Sequence, residues 1–239
     1  MVKIGVLELI GYREWTESIG FDREHIIQLN QSKLYYELQS IISEARGFII
    51  PLRYDYMIII ANGVEDKILM KLPTILKHFS PVPVRIAVSC AKTPYEAQLK
   101  ATLLLPEAKE NTTIIDHNEY CNDHIVVAQF DINYYTLKTR YMSVYDTYLE
   151  SMQLYLEVVN LSKKIGGITS YLGGDNVLLF LSLDKINILY DLARKDLKIG
   201  VGVSKVTRRA ITLSAKALDS LRMNRKEKNN KGIKIIYDE

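Results

Sequence analysis

Asp175 follows two glycines and precedes an asparagine in Gly173-Gly174-Asp175-Asn176, a stretch that separates apolar runs at 167–172 and 177–183. That pattern predicts a β-hairpin tip, where glycine leaves room for another group to approach the backbone. A second carboxylate, Asp131, ends the apolar run His124-Ile125-Val126-Val127-Ala128-Gln129-Phe130 and is followed by Ile132 and Asn133. Two aspartates at the ends of two strands suit Mg2+ ions that clamp a triphosphate. Magnesium takes one or two protein carboxylates and completes its shell with phosphate and water oxygens. Asp131-Ile132-Asn133 runs into a helical pattern, so backbone N–H groups and a helix N-terminus beside the carboxylate would favour phosphate. Asp131 alone also reads as a helix cap, and Gly173-Gly174 alone as a simple hairpin turn. Their conjunction points to a nucleotide-handling enzyme.

Other residues carry two readings each. Arg222, on the last predicted helix, and Lys205, just after the run 197–204, could pair with phosphate oxygens or sit on a solvated face. Asp146 could accept hydrogen bonds from the N1 and exocyclic amine of guanine, or be a surface carboxylate. His117, Cys121 and His124 form the one cluster resembling a zinc site, but their spacing matches no standard pattern and a polar connection explains them. Tyr141, Tyr145, Tyr148, Met152, Tyr155 and Val159 recur at helical steps and predict a seam facing the core or a partner subunit. Gly200 and Gly202 lie inside a strand pattern and are assigned to packing. A Gly-x4-Gly-Lys-Ser/Thr phosphate loop does not occur.

The elements that must position these residues occur twice. Strand patterns at 2–10, 47–52, 57–61 and 84–90 alternate with helical spacing at 24–44, 64–79 and 93–105. The second half repeats the order: strands at 125–131, 167–172, 177–183 and 197–204, and helices at 137–164, 184–194 and 207–225. Two tandem βαββαβ modules of ferredoxin-like or palm type are predicted, antiparallel sheets with helices packed on one face. The first spans 1–110, a connecting segment 111–122, and the second 123–239, with a polar tail at 224–231 before a short strand at 233–237. Asp55 and Asp175 sit half a chain apart, at the same place in each module. Matched at that offset, Gly11 stands where Asp131 stands, and Arg53-Tyr54 where Gly173-Gly174 stands, so the metal site is expected in the second half alone.

Composition bounds the function classes. The 239 residues are 48% hydrophobic and 25% charged, an ordinary globular balance. A net charge of +3 is too small to argue for nucleic acid or a membrane surface. No apolar run approaches the length of a membrane span, and Met1-Val2-Lys3-Ile4 leads straight into a strand rather than a secretory signal. Cys90 and Cys121 cannot make a disulfide framework, so a reducing cytoplasm is expected.

Asn62-Gly63, Thr93-Pro94-Tyr95-Glu96-Ala97-Gln98, Asp131-Ile132-Asn133, Tyr145-Asp146-Thr147-Tyr148-Leu149, Gly173-Gly174-Asp175-Asn176 and Ala215-Lys216-Ala217-Leu218 with Arg222 follow one another along nearly the whole chain. In that order they resemble the GGDEF and nucleotidyl-cyclase superfamily, and within it the archaeal GTP cyclohydrolase III family of two tandem modules. The resemblance implies Mg2+-dependent hydrolysis of GTP. The guanine imidazole ring opens without release of formate and two phosphates leave, giving 2-amino-5-formylamino-6-ribosylaminopyrimidinone 5′-phosphate, an early step toward riboflavin and deazaflavin cofactors. It also implies activation by K+ and a homo-oligomer, dimer or tetramer. Asp131, Asp175 and the Ile132 carbonyl would hold one or two metals that acidify a water. Asn133, Gly173, Gly174, Asn176, Lys205, Arg222 and Asp146 would contact substrate. A nucleotidyl cyclase or a non-catalytic GTP-binding module are the alternatives on the same fold.

Overall fold

Nearly every residue of the strand Val2–Leu9 (β1) is buried, because both faces of its sheet are covered. The computed structural model describes residues 1–118, 120–194, 196–223 and 232–238. The chain divides into two units, Met1–Lys92 with Glu96–Asn122, and Thr93–Tyr95 with Asp123–Glu239. After β1 come helices Tyr12–Ser18 (α1) and Glu24–Glu44 (α2), strands Phe48–Ile50 (β2) and Tyr56–Ile60 (β3), and helix Asp66–Leu76 (α3). Val84–Ala91 (β4), Pro94–Leu104 (α4), a short 3-10 turn and Thr112–Ile115 (β5) complete the first half. The second half contains Ile125–Ile132 (β6), Tyr135–Lys138 (α5), Val144–Ile165 (α6), Ile168–Gly173 (β7) and Asn176–Ser182 (β8). A 3-10 helix, Leu183–Leu192, then leads to Leu197–Ser204 (β9), Thr207–Met223 (α7) and Ile233–Tyr237 (β10).

The two sheets have one topology, β2-β3-β1-β4-β5 and β10-β9-β6-β8-β7. Without β5 and β10 each is the antiparallel βαββαβ core expected from the sequence. The fifth strand adds in parallel to β4 or β9 through a crossover helix. In the first unit α2 buries Leu34, Leu38 and Ile42, and α3 buries Leu69, Leu72 and Leu76, against Leu7, Met57, Ile59 and Ile86 on one sheet face. On the opposite face, Ala101 of α4 packs with Val6 and Ala87. In the second unit α6 and the 3-10 helix cover Val126, Ala128 and Phe130. The face of Val127 and Gln129 instead meets α7 through Gly200 and Gly202 of β9. Helices therefore cover both faces once the added α4–β5 and α7–β10 pieces are included.

Gly200 and Gly202 let α7 lie on bare backbone. A Cβ on Gly202 would fall 2.0 Å from the Ala210 carbonyl oxygen, and one on Gly200 2.2 Å from that of Ser214. Neither backbone atom can yield without shifting α7, which supports the packing assignment.

Several expectations are corrected. Thr112–Ile115, placed in a connecting segment, is a strand, and the Thr113 hydroxyl donates to the Leu69 carbonyl at 2.7 Å. Four β-prone residues among charged neighbours were too short to register as a period. The helix expected at 137–164 is broken: α5 is one turn, and α6 begins afresh at Ser143, whose Oγ accepts from the Asp146 amide at 3.0 Å. The buried stripe of α6 is Thr147, Ser151, Leu154, Val158, Ser162 and Ile165. Thr147, Ser151 and Ser162 bond their hydroxyls to carbonyls one turn back, at 2.9, 3.1 and 2.8 Å, and so pack as small core residues. Of the tyrosine seam from Tyr141 to Val159, Tyr141, Tyr145 and Tyr148 lie beside that stripe and are exposed, whereas Tyr155 packs against the core. The tail at 224–231 and Arg225 lie outside the described residues.

The two cysteines, from which a reducing environment is expected, are instead joined: Cys90 near the end of β4 is bonded to Cys121, with Cα atoms 5.8 Å apart. The Cys121 sulfur is thereby withdrawn from the zinc reading. Among the described residues no group of three or more His, Cys, Asp or Glu side chains could hold a metal ion. Among them, too, no helix is long and apolar enough to cross a membrane.

Two outcomes are expected. Gly202→Ala should lose about 3 kcal/mol or more in a denaturant titration, since backbone blocks the new methyl; a loss under about 0.5 kcal/mol would contradict the close α7–β9 contact. Reducing the Cys90–Cys121 bond, which closes a loop of 31 residues, should cost up to about 3–4 kcal/mol on the chain-entropy account. An unchanged Tm after both thiols are titrated as free would show that the bond constrains nothing.

Candidate active site

Side chains alternate across a strand, so one parity of β6 faces α6 and the other faces α7. Phe130 and Ile132 enter the α6 core, whereas Asp131 points to the α7 side with its register partner Lys198. Gly200 and Gly202 follow Lys198 on that face and bring α7 close enough for Arg222, in its last turn, to reach back to the end of β6. Arg222 Nη2 donates to Asp131 Oδ1 and Nη1 donates to Asp219 Oδ1 at 3.1 Å. The Lys198 ammonium lies 3.6 Å from Asp131 Oδ2 and donates to Asn133 Oδ1. The Asp131 side chain is only 11% exposed, so its charge is compensated by two cations rather than by water.

Gly173 and Gly174 hold φ of 101° and 60° at the hairpin tip, the left-handed region that suits glycine. This turn delivers Asp175 to the β6 end, where its Oδ2 accepts from the Ile132 amide at 2.9 Å. Asp131, Ile132, Tyr134, Tyr135, Thr136, Leu137, Asp175, Asn176 and Arg222 line one open cavity of about 690 Å³, within the range of small-ligand sites. Burial, and next the Asp131 charge, push the Asp175 carboxyl above its ordinary range, against the pull of the Ile132 amide and Arg222. The hydrogen bond from Arg222 to Asp131 holds the guanidinium firmly protonated. A buried carboxylate, Asp131, and a half-buried one, Asp175, which repel one another at a cavity wall with open volume before them, form a donor set suited to a hard cation. Mg2+ fits Asp131 and Asp175 in this sense, with the remaining positions left to phosphate and water.

The sequence-derived candidates divide accordingly. Asp131, Ile132, Asp175, Asn176 and Arg222 meet in the cavity. Asn133 stands behind it, its side chain held by Lys198 and its amide donating to Asp196 O at 2.8 Å. Gly173 and Gly174 shape the turn without lining the cavity, and the Tyr171 hydroxyl bonds the Gly174 carbonyl at 3.0 Å. Asp146 is exposed and serves as a helix-capping partner of Ser143; a single short side chain reads alike in either role. Lys205 follows the far end of β9, roughly 20 Å from Lys198 at about 3.3 Å per residue, so it belongs to no site with Asp131. Lys198 was missed, although its even spacing from Gly200 and Gly202 placed it on their face. The one-turn α5 begins after Tyr134, whose φ is 62°, and is too short for the helix-dipole contribution expected there.

The register also corrects the match of the two halves. The last pair of β1 with β4 is Leu9↔Val84, and that of β6 with β9 is Ile132↔Leu197. One step inward, Glu8 faces Arg85 and Asp131 faces Lys198. Glu8, not Gly11, is the counterpart of Asp131; the sequence match was displaced because the loops after β1 and β6 differ in length. In the first unit the Glu8 carboxylate is claimed by its own sheet, by Arg85 Nε at 2.6 Å and the Tyr56 hydroxyl at 2.7 Å.

A pH-dependent outcome follows from Asp175. Its raised pKa means the folded protein holds that proton more tightly than the unfolded chain. The ionised group therefore costs stability at neutral pH, a cost that vanishes below the unfolded value of about 3.9. Asp175→Asn, which keeps an acceptor for the Ile132 amide, should raise Tm at pH 7, with the gain shrinking as pH falls through the carboxylate range. A Tm at pH 7 equal to or below that of the parent would contradict the repulsion.

The family model for GTP cyclohydrolase III matches residues 4–234. A curated GTP cyclohydrolase III from Saccharolobus solfataricus is 36% identical over 95% of this chain and 97% of its own length. One from Aeropyrum pernix is 36% identical over 92% of each chain. The matched span takes in β6, the hairpin aspartate and α7 alike, and the chain belongs to the GTP cyclohydrolase III family.

Proposed function

We propose that this chain acts on GTP as a Mg2+-dependent hydrolase, opening the guanine imidazole ring at C8 while keeping the formyl group and releasing two phosphates. The product would be 2-amino-5-formylamino-6-ribosylaminopyrimidinone 5′-phosphate, made in the cytoplasm for riboflavin and deazaflavin synthesis. The observation that carries this reading is the meeting of Asp131 and Asp175 with Arg222 in one open cavity, in a chain of this family. When bound, Mg2+ supplies charge neutralisation to the triphosphate and a more acidic water.

The residues have separable tasks. Asp131 and Asp175 hold the metal, and the Ile132 amide fixes the orientation of Asp175. Lys198 and Asn133 keep Asp131 aimed at the cavity from behind. Arg222, planar and permanently charged, reaches phosphate oxygens from the α7 side. Asn176 offers an amide at the wall. Activation by K+ and assembly as a homo-oligomer are part of the same proposal.

The test is incubation of zinc-free protein with GTP, Mg2+ and K+, followed by mass spectrometry and phosphate assay. The expected result is the formylamino-pyrimidine monophosphate with two phosphates per GTP. Asp131→Asn and Asp175→Ala should each lower turnover by at least about 100-fold in folded protein. A cyclic nucleotide with pyrophosphate would make the chain a cyclase, and unchanged GTP would make it a binding module.

A further inference from the structure

Arg222 and a metal ion compete for one carboxylate. Arg222 Nη2 donates to Asp131 Oδ1 and Lys198 stands at Oδ2, so each oxygen a cation could take is already faced by positive charge. The two cations differ in their freedom to leave. The Lys198 side chain is 8% exposed and donates to Asn133, whereas that of Arg222 is 45% exposed. Arg222 also has a second carboxylate, Asp219, one helical turn back and 63% exposed, which can retain it.

Resting on the assignment of Asp131 and Asp175 as the metal site, we propose that Arg222 is a displaceable counter-cation that makes metal and triphosphate binding interdependent. Without ligand, Arg222 neutralises Asp131. Metal entering alone must evict it and strand a guanidinium with a weak, solvated partner. Metal entering with a triphosphate gives Arg222 phosphate oxygens in exchange for the carboxylate, so the exchange costs little. Each ligand therefore raises the affinity for the other, and the coupling is reciprocal. Lys198 stays throughout as the positioning residue for Asp131. The arrangement discriminates against metal without nucleotide, and against nucleotides lacking the outer phosphates that Arg222 would need.

The experiment uses Mn2+ as the probe, with free ion counted by electron paramagnetic resonance, on the full chain with and without the β,γ-imido analogue of GTP. The parent should bind Mn2+ weakly alone and about 10-fold or more tightly with the analogue. Arg222→Met should bind Mn2+ alone about 10-fold more tightly than the parent and lose most of the enhancement. Arg222→Lys, which keeps the charge but not the planar fork, should lie between. Thermal melting confirms that each variant is folded. Mn2+ binding unchanged or weakened in Arg222→Met, yet lost in Asp131→Asn, overturns the exchange and leaves the metal site standing. Mn2+ binding indifferent to Asp131→Asn overturns the metal site and the exchange with it.

Discussion

A carboxylate placed at the buried end of a central strand has to be answered by positive charge, and most of the second unit is arranged around that need at Asp131. β6 is covered on both faces, so Asp131 keeps little contact with water. The answer from its own sheet is Lys198, and from the helix layer Arg222, which arrives because Gly200 and Gly202 let α7 rest on β9 without intervening side chains. Asp175 then adds a second negative charge at the mouth of the same cavity, held by the Ile132 amide against its own burial and the repulsion of Asp131. A folded chain gains nothing in stability by this second carboxylate. Its presence is intelligible as function, a site left in want of a cation.

The first unit meets the same demand from within its own sheet. Glu8 occupies the position of Asp131 and Arg85 that of Lys198, but Tyr56 closes over the carboxylate where Asn176 stands in the second unit. Arg85, with Glu8 holding it protonated, satisfies the charge inside the sheet. Asp55, the counterpart of Asp175, is engaged by Arg53 at 2.8 Å in place of the glycine bend. Two copies of one architecture thus differ in what lies before the carboxylates: Glu8 and Asp55 are engaged by side chains of their own unit, whereas Asp131 and Asp175 share the wall of an open cavity.

Much of this was legible in the amino-acid sequence. Short apolar runs located eight strands of the two cores, and the boundaries of α2, β9 and β10 agree with those read from the pattern. Asp131 and Asp175, which line one cavity, could be singled out because strand ends and a glycine bend are local signals. What escaped was decided at a distance or by unusually small residues. Lys198 owes its role to a pairing across the sheet, and Lys205 was misread because its end of β9 cannot be known without that pairing. The stripe of α6 is written partly in Thr and Ser, whose hydroxyls turn inward to the helix backbone, so its buried face could not be read from apolar spacing alone. The counterpart of Asp131 was missed because equal spacing along the chain was taken for equal position in the sheet.

The central claim is that Asp131 and Asp175 hold the metal of a nucleotide site in the second unit. A crystal of the protein with Mn2+ and the β,γ-imido analogue of GTP, measured at the manganese absorption edge, tests it most directly. The account predicts an anomalous peak between the Asp131 and Asp175 carboxylates, with the analogue's phosphates completing its shell and Arg222 turned from Asp131 to phosphate. A peak absent there, or found instead at Glu8 and Asp55, would contradict it.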